Sequence, residues 1–208
     1  AVYPVNALGI TKALMEKVIQ STSRKLSEGQ TVLTLVRYGN VLFSRGSVIP
    51  LFMKLIRENK PLTVTEPRMT RFLLPLKEAI NLVGFALENG RQGDIFVRNA
   101  SSCSVGDLAQ ALKNIFQSNS KIEIIGMRHG EKMHETLVTR EEFLRAEDLE
   151  DYYRIEYLMD LDYDEYFSHG KDNHIPVEGY TSENTERLNL DETKELILNL
   201  PEIQELLS

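Results

Sequence analysis

Strand-like runs alternate with helix-like segments along this chain, and the alternation limits its fold more than any other feature. Short apolar runs of the kind found in strands occur at residues 31–36, 62–65, 94–98 and 121–125. Helical patterns separate or flank them, at residues 6–25, 49–58, 77–88, 105–117 and 191–200. Strands that alternate with helices are joined by crossover connections, which favour parallel pairing. The sequence therefore predicts an α/β fold with a mainly parallel sheet.

Several predicted helices carry start signals. Asn6 is suited to cap the first helix, Pro50 falls in the first turn of the second, and Ser104 precedes the fourth. Each of these residue types is favoured at a helix start because it satisfies, or does not need, a free backbone N–H group. These signals fix where the helices begin better than where they end.

Bulk composition excludes some classes of partner. The 208 residues are 42% hydrophobic and 26% charged, which is ordinary for a soluble globular protein. A formal net charge of −7 argues against nucleic acid or an acidic membrane as a partner, because both require a basic face. No apolar run is long enough to span a membrane. The single cysteine, Cys103, excludes an internal disulfide and is compatible with a cytoplasmic location, where we expect it to be a bystander.

The beginning of the chain and its glycine pattern both suggest a piece of a longer protein. Residues 1–4 include no initiator methionine and lead almost directly into a helix-like segment. No Gly-x-Gly-x-x-Gly motif occurs, so the usual dinucleotide-binding turn is absent from this chain.

The charged segment at residues 126–135 is the strongest candidate for a ligand site. It follows the strand-like run 121–125 and precedes residues from Thr136 onward that are compatible with a helix. Backbone N–H groups at a strand-to-helix junction bind anions. Arg128 would add a bidentate donor for phosphate oxygens, and Glu131 an acceptor for ribose hydroxyls. The alternative is a solvated turn with ordinary surface charges.

Three further positions could contact an anionic ligand. Asn40 follows the run 31–36, at the strand end where open α/β sheets bind ligands, although it could equally be a turn-forming residue. Ser47 lies beside Arg45 just before a helix that has proline in its first turn. Arg71 is expected in a loop after a strand, where it could also be an ordinary surface residue.

No metal site is expected. His129 and His134 are five residues apart and do not share a helix face. The spacing of Asp160, Asp162 and Asp164 imitates the start of a calcium loop, but glutamate and lysine occupy the positions that need glycine and glutamate.

Five motifs follow one another in a familiar order, at residues 6–12, 37–41, 45–52, 69–72 and 128–132. Together they resemble the extended short-chain dehydrogenase/reductase family, specifically bacterial UDP-N-acetylglucosamine 4,6-dehydratases of polysaccharide biosynthesis. The branch that also inverts C5 in capsular polysaccharide biosynthesis is the most similar. The resemblance covers nearly the whole chain, including residues 178–182.

The resemblance implies the carboxyl-terminal portion of an NADP-dependent enzyme. The glycine-rich NADP site would lie upstream, as would an Asp-Lys pair immediately before Ala1. Lys12 would be the catalytic lysine of this chain and would contact the nicotinamide ribose. The residues implied to bind a UDP-sugar are Asn40, Arg71 and Arg128 on the diphosphate, Glu131 on the ribose, and Ser47, Val48, Pro50 and Leu51 around the uracil.

Leu8 departs from the wider family pattern. Short-chain dehydrogenases carry a catalytic tyrosine four residues before the lysine that Lys12 matches, and a leucine cannot move a proton. C5-inverting members are similar in having an apolar residue there, which implies that an upstream lysine transfers the proton. Without the resemblance, Lys12 would be interpreted as a surface lysine paired with Glu16.

The resemblance also implies a division of the chain. Residues 1–46 and about 75–100 would belong to a Rossmann-like dinucleotide-binding domain, and residues 47–74 and 101–208 to a smaller nucleotide-sugar domain. The full-length enzyme is expected to be a homo-oligomer, and this chain alone to be inactive with a large exposed apolar face. Two alternatives stay open, namely another UDP-sugar epimerase or reductase of the same fold, or an inactive nucleotide-sugar-binding domain.

Overall fold

Helices and strands alternate in the computed structural model, which describes residues 2–27, 29–157 and 178–207. Its helices are α1 (Ala7–Ser23), α2 (Val48–Arg57), α3 (Leu76–Asn89), α4 (Val105–Ile115), α5 (Arg140–Phe143), α6 (Leu190–Leu198) and α7 (Pro201–Leu207). Its strands are β1 (Leu35–Arg37), β2 (Asn40–Val41), β3 (Leu62–Val64), β4 (Thr70–Leu74), β5 (Ile95–Arg98), β6 (Ser102–Ser104), β7 (Ile122–Ile124), β8 (Thr136–Val138), β9 (Ala146–Asp148), β10 (Tyr152–Ile155) and β11 (Tyr180–Thr181).

The α/β prediction is confirmed, and the pairing is mixed. Strand pairs β1–β5, β2–β4 and β3–β7 are parallel. Strand pairs β5–β10, β9–β10 and β4–β6 are antiparallel. Antiparallel strands can be joined by short connections, which explains how β9 and β10 follow one another closely in the chain.

The chain forms two units by contact, which we call unit 1 and unit 2. Unit 1 comprises residues 1–37, 81–99 and 137–180, and unit 2 comprises residues 38–80, 100–136 and 181–208. The predicted assignment of chain segments to a dinucleotide domain and a nucleotide-sugar domain stays a prediction.

Unit 1 contains a four-stranded sheet in the order β1-β5-β10-β9. Leu82, Ala86 and Phe96 form its small apolar cluster. Helix α1 begins at the predicted cap, where the Asn6 side chain accepts the Gly9 N–H at 2.9 Å.

Polar and apolar residues are distributed on α1 in the reverse of the usual way. Its buried side chains are Glu16, Gln20 and Ser23. Its exposed side chains include five large apolar ones, Leu8, Ile10, Leu14, Met15 and Val18. Hydrophobic packing within the described part of unit 1 therefore contributes little to holding α1, and its buried side chains make polar contacts instead.

A buried ion cluster supplies those contacts. The Arg37 guanidinium donates from Nε to Glu16 Oε2 at 2.9 Å and from Nη2 to the other Glu16 oxygen. It also donates to both oxygens of Glu142, at 2.8 and 2.9 Å, and to the Leu137 carbonyl at 3.0 Å. All five guanidinium N–H groups thus have an acceptor. Helices α1 and α5 are fastened to β1 through this one side chain.

Unit 2 contains two small sheets, β2-β4-β6 and β3-β7, and most of the buried apolar residues. Its core is built from the inner faces of α2, α4, α6 and α7 with β3 and β4, and includes Phe52, Leu62, Leu73, Leu112 and Ile197. The Ser104 hydroxyl accepts the Asp107 N–H at 2.9 Å, as predicted for the cap of α4.

Two sequence predictions about local structure are wrong. Residues 136–138 form strand β8 rather than a helix, so the segment 126–135 does not end at a helix N-terminus. Arg71 lies inside β4 rather than in a loop. Thr136 and Val138 are β-branched, which favours a strand. The helix that follows, α5, has only four residues.

None of the described helices is both long enough and apolar enough to cross a membrane.

Candidate functional site

A cavity of about 560 Å³ lies within unit 2. Its volume falls within the range of small-molecule sites in proteins. The cavity is lined by most of the segment from Tyr38 to Ser47, the first turns of α2 and α4, residues of β3 and β4, and the segment that carries Arg128 and Glu131.

Most of the residues implied to bind a UDP-sugar line this one cavity. They are Asn40, Ser47, Val48, Leu51, Arg71, Arg128 and Glu131. Pro50 instead lines a separate concavity beside Met53 and Arg57. Lys12 belongs to unit 1, where it is exposed on α1.

Helix geometry explains the position of Pro50. Successive residues of an α-helix are about 100° apart around its axis, so Val48 and Leu51 share a face while Pro50 points elsewhere. The helical spacing of residues 48–51 is therefore sufficient to predict that Pro50 faces away from the cavity.

The N-terminus of α2 presents an unpaired hydroxyl to the cavity. Ser47 is the N-cap of α2, but its side chain makes no capping hydrogen bond. Its Oγ atom is buried with no hydrogen-bond partner. The first backbone N–H groups of a helix also lack partners within the helix. This end of the cavity therefore offers several free polar groups and the positive end of a helix dipole.

The segment that carries Arg128 and Glu131 folds as a tight turn. Gly126 and Gly130 both have a φ of 81°, a conformation that glycine adopts without steric cost. The Arg128 N–H donates to Glu131 Oε2 at 3.1 Å. The Arg128 side chain is exposed and reaches the cavity. It is the most accessible cationic group along the cavity wall.

Arg71, by contrast, is held by protein acceptors. Its Nη1 donates to the carbonyls of Thr70 at 2.7 Å and Met133 at 3.2 Å. Its Nη2 donates to the Lys132 carbonyl at 3.0 Å and to Met69 Sδ at 3.4 Å. Its Nε lies 3.9 Å from Glu135 Oε1. A phosphate oxygen would have to displace one of these contacts to reach the guanidinium.

Burial shifts the pKa values of two groups beside Arg71. Desolvation raises the pKa of Glu135 above its usual value, although Arg71, the Phe72 N–H and Lys132 oppose the shift. Desolvation also lowers the pKa of Lys132, opposed by Glu135. The environment beneath Arg71 is therefore partly shielded from water, where hydrogen bonds are stronger than on an open surface.

Gly39 brings the backbone of the cavity loop against Phe72. A Cβ atom at position 39 would lie 2.3 Å from Phe72 Cβ, far inside van der Waals contact. Phe72 is fully buried and cannot move away at low cost. Only glycine allows this approach.

We therefore expect Gly39→Ala to lower the free energy of unfolding by about 1–3 kcal/mol, the usual cost of overpacking. Urea unfolding followed by circular dichroism measures the change. Gly84→Ala is a suitable control, since nothing lies within 4 Å of a Cβ at that position. Gly46→Ala is not, because Gly46 has a positive φ that disfavours alanine. Equal stability of the Gly39 and Gly84 variants would contradict the close approach.

Sequence reasoning missed several polar groups of the cavity wall. Thr63 and Thr65 line it from β3 and the residue after that strand. The signal was present, because polar residues at the carboxyl end of a parallel strand are the expected ligand contacts of an open α/β sheet.

Other predicted features have no part in the cavity. Burial raises the pKa of Cys103 to about 12, so its thiol stays protonated at neutral pH. Among the residues that the structure describes, no three His, Cys, Asp or Glu side chains are grouped to hold a metal. Asp160, Asp162 and Asp164 lie outside the described residues.

Solved structures define the class of fold. An X-ray structure of Pen from Bacillus thuringiensis is 35% identical and superposes with a TM-score of 0.81, over 96% of this chain and 59% of that one. A dTDP-glucose 4,6-dehydratase from Bacillus anthracis, solved with NAD, is 15% identical and has a TM-score of 0.55, over 62% of this chain and 43% of that one. The fold is that of Rossmann-like nucleotide-sugar dehydratases and epimerases.

Sequence comparisons then give the family. The model of the polysaccharide biosynthesis protein family matches residues 1–157, and the model of the polysaccharide biosynthesis protein C-terminal region matches residues 159–204. The chain therefore belongs to the polysaccharide biosynthesis protein family. A protein named UDP-glucose 4-epimerase from Rickettsia rickettsii is 53% identical over 206 residues, which are 99% of this chain and 60% of that relative. The chain thus spans about three fifths of the relatives it matches.

Proposed function

We propose that the cavity of unit 2 binds the UDP moiety of a UDP-sugar. One observation carries the proposal: seven of the eight residues that the sequence resemblance assigns to a UDP-sugar line this single cavity. They come from four separate motifs, so their convergence is not a consequence of sequence proximity.

The charges of the cavity suit a nucleotide diphosphate. Arg128 is exposed at the cavity and can donate two parallel hydrogen bonds to phosphate oxygens. The unpaired Ser47 hydroxyl and the positive end of α2 offer further donors. Glu131 provides a carboxylate for sugar hydroxyls, and the apolar side chains of Val48 and Leu51 can pack on a base.

For the complete protein we propose a UDP-N-acetylglucosamine 4,6-dehydratase, with or without 5-epimerisation, that acts in surface polysaccharide biosynthesis. NADP would accept hydride from sugar C4 and return it to C6. Within this chain, Lys12 alone is assigned to that cofactor, and no Gly-x-Gly-x-x-Gly motif is present to hold its pyrophosphate. The role of this chain is therefore to bind and orient the nucleotide sugar.

A 4-epimerase is the second candidate, because relatives 53% identical to this chain carry that name. Leu8 removes a tyrosine base from the position four residues before Lys12 in either reaction. The products separate the two candidates. NMR of UDP-N-acetylglucosamine incubated with NADP+ and the complete protein should show a 4-keto-6-deoxy sugar for a dehydratase and a 4-epimer for an epimerase.

Binding by the 208-residue chain tests the site itself. Isothermal titration calorimetry should detect UDP binding to the wild-type chain. Arg128→Met should weaken it about 10- to 100-fold, because a hydrogen-bonded charge contributes on the order of 1.5–3 kcal/mol. Arg68→Met is a matched control, since Arg68 lies in the same unit but pairs with Glu66 and does not line the cavity.

No UDP binding by the folded wild-type chain would overturn the assignment of the cavity. Equal affinities of the wild-type and Arg128→Met chains would overturn the role of Arg128.

A further inference from the structure

Ser182 lies at the centre of a buried hydrogen-bond network in unit 2, which we call the Ser182 network. It consists of Ser182, Glu135, Thr70, Met133 and His134. Ser182 and Thr70 have no exposed surface. Ser182 falls in the part of the chain that matches the C-terminal family model, and it does not line the cavity.

Two opposed hydrogen bonds join Ser182 to Glu135. The Ser182 N–H donates to the Glu135 carbonyl at 2.8 Å. The Glu135 N–H donates to Ser182 Oγ, also at 2.8 Å. A pair of this kind fixes both the separation and the orientation of the two backbones.

The same hydroxyl joins this pair to strand β4. Ser182 Oγ lies 2.7 Å from Thr70 Oγ1 and donates to the Thr70 carbonyl at 3.1 Å. The Thr70 hydroxyl also contacts His134 Nδ1 at 2.8 Å, and the Thr70 N–H donates to the Met133 carbonyl at 3.0 Å. Thr70 thus holds Met133 and His134 on β4 directly, and Ser182 holds the next residue, Glu135, on the same strand.

The residues that the Ser182 network holds are continuous in the chain with the segment that carries Arg128 and Glu131. Arg128 and Glu131 precede Met133 closely in the chain, and residues 127–129 are exposed. The segment is fastened at its start by the Ile125 N–H, which donates to the Val64 carbonyl at 2.9 Å. Its end is fastened by the Ser182 network and by the Arg71 hydrogen bonds to the carbonyls of Lys132 and Met133.

We propose that Ser182 is a positioning residue of the nucleotide site. It holds the end of the segment 126–135, so that Arg128 and Glu131 face the cavity before the nucleotide arrives. This inference rests on the proposed function, because it assumes that the cavity binds UDP. Preorganisation of this kind lowers the ordering cost that binding would otherwise incur.

The test compares Ser182→Ala with Thr185→Ala. The Thr185 hydroxyl donates to the Ala100 carbonyl at 2.9 Å, so it fastens the same carboxyl-terminal segment at a different point. Hydrogen exchange in the chain without ligand, and UDP affinity by calorimetry, are measured for both variants and the wild type.

Ser182→Ala should speed exchange at the amides of residues 131–135 and weaken UDP binding about ten-fold, the scale on which residues behind a binding group act. Thr185→Ala should change neither by more than about two-fold. The inference also requires that the Glu135 amide exchanges slowly in the ligand-free wild type. This can be measured even if Ser182→Ala does not fold.

Rapid exchange of the Glu135 amide in the wild type would overturn the inference. So would unchanged UDP affinity in a folded Ser182→Ala chain, or equal effects of the two variants. If the wild type bound no UDP, the proposed function would fail by itself, and the exchange measurement would still decide whether Ser182 holds the segment.

Discussion

Replacing Arg37 with methionine is expected to lower the free energy of unfolding of unit 1 by about 3–5 kcal/mol, the usual result of removing one partner from a buried ion pair. Arg37 satisfies both Glu16 and Glu142, whose side chains are 8% and 11% exposed. Methionine would leave two buried carboxylates facing one another with no cation between them. Helix α1 would also lose the ion pair that attaches its buried Glu16 to β1.

Urea unfolding measures this change in the free energy of unfolding. Hydrogen exchange of the β5 amides shows whether unit 1 in particular is affected. Arg68→Met is the control for removal of a surface arginine, because Arg68 is exposed and pairs with Glu66 on the surface. Adding Glu142→Gln to Arg37→Met should restore part of the loss, since it removes one of the unpaired charges. A loss below about 1 kcal/mol for Arg37→Met would show that the cluster does not hold α1.

The Arg37 cluster illustrates what the sequence could not predict. On local spacing alone, Lys12 is the candidate partner of Glu16, because the two are one helical turn apart. The actual partner is Arg37, and the second carboxylate is 105 residues from Arg37 in the chain. Local patterns identify helices and their caps, as at Asn6 and Ser104, because those depend on neighbouring residues. A charge cluster built from three distant segments has no local pattern.

The strands show the same limit. The runs at 62–65 and 94–98 are apolar enough to be recognised, and they form β3 and β5. The pairing of strands β4, β6 and β8 depends on residues far away in the chain. Arg71 was therefore expected in a loop, although its neighbours Phe72 and Leu73 are buried strand residues.

The residues that line the cavity are easier to predict from the sequence than the residues that hold them in place. Asn40, Arg71, Arg128 and their companions belong to motifs of fixed order, so a resemblance can assign them together. Ser182 and Thr70 contact other protein groups, and small hydroxyl residues are too common for a motif to single them out. The hydrogen bonds that orient Arg128 and Glu131 became visible only when the backbone positions were known.

Acid is expected to remove the contribution of the Arg37–Glu142 ion pair to stability between about pH 4.5 and pH 2. Burial alone would raise the pKa of Glu142, but the hydrogen bonds and charge of Arg37, with the Thr139 N–H and Lys17, outweigh it and lower the pKa from 4.5 to about 2. The folded protein therefore binds this proton less readily than the unfolded chain. The stabilisation is complete above pH 4.5 and is lost as the pH falls through the folded value.

A comparison of Glu142→Gln with the wild type isolates this effect from the other carboxylates. At pH 7 the variant should be less stable, since glutamine cannot pair with the Arg37 charge. The difference in free energy of unfolding should narrow between pH 4.5 and pH 3, because only the wild type loses stability through protonation at this position. Glu66→Gln serves as the surface control, with a small difference at every pH. If the difference in free energy of unfolding between the wild type and Glu142→Gln stayed constant from pH 7 to pH 3, Arg37 would not hold the Glu142 carboxylate ionised in acid.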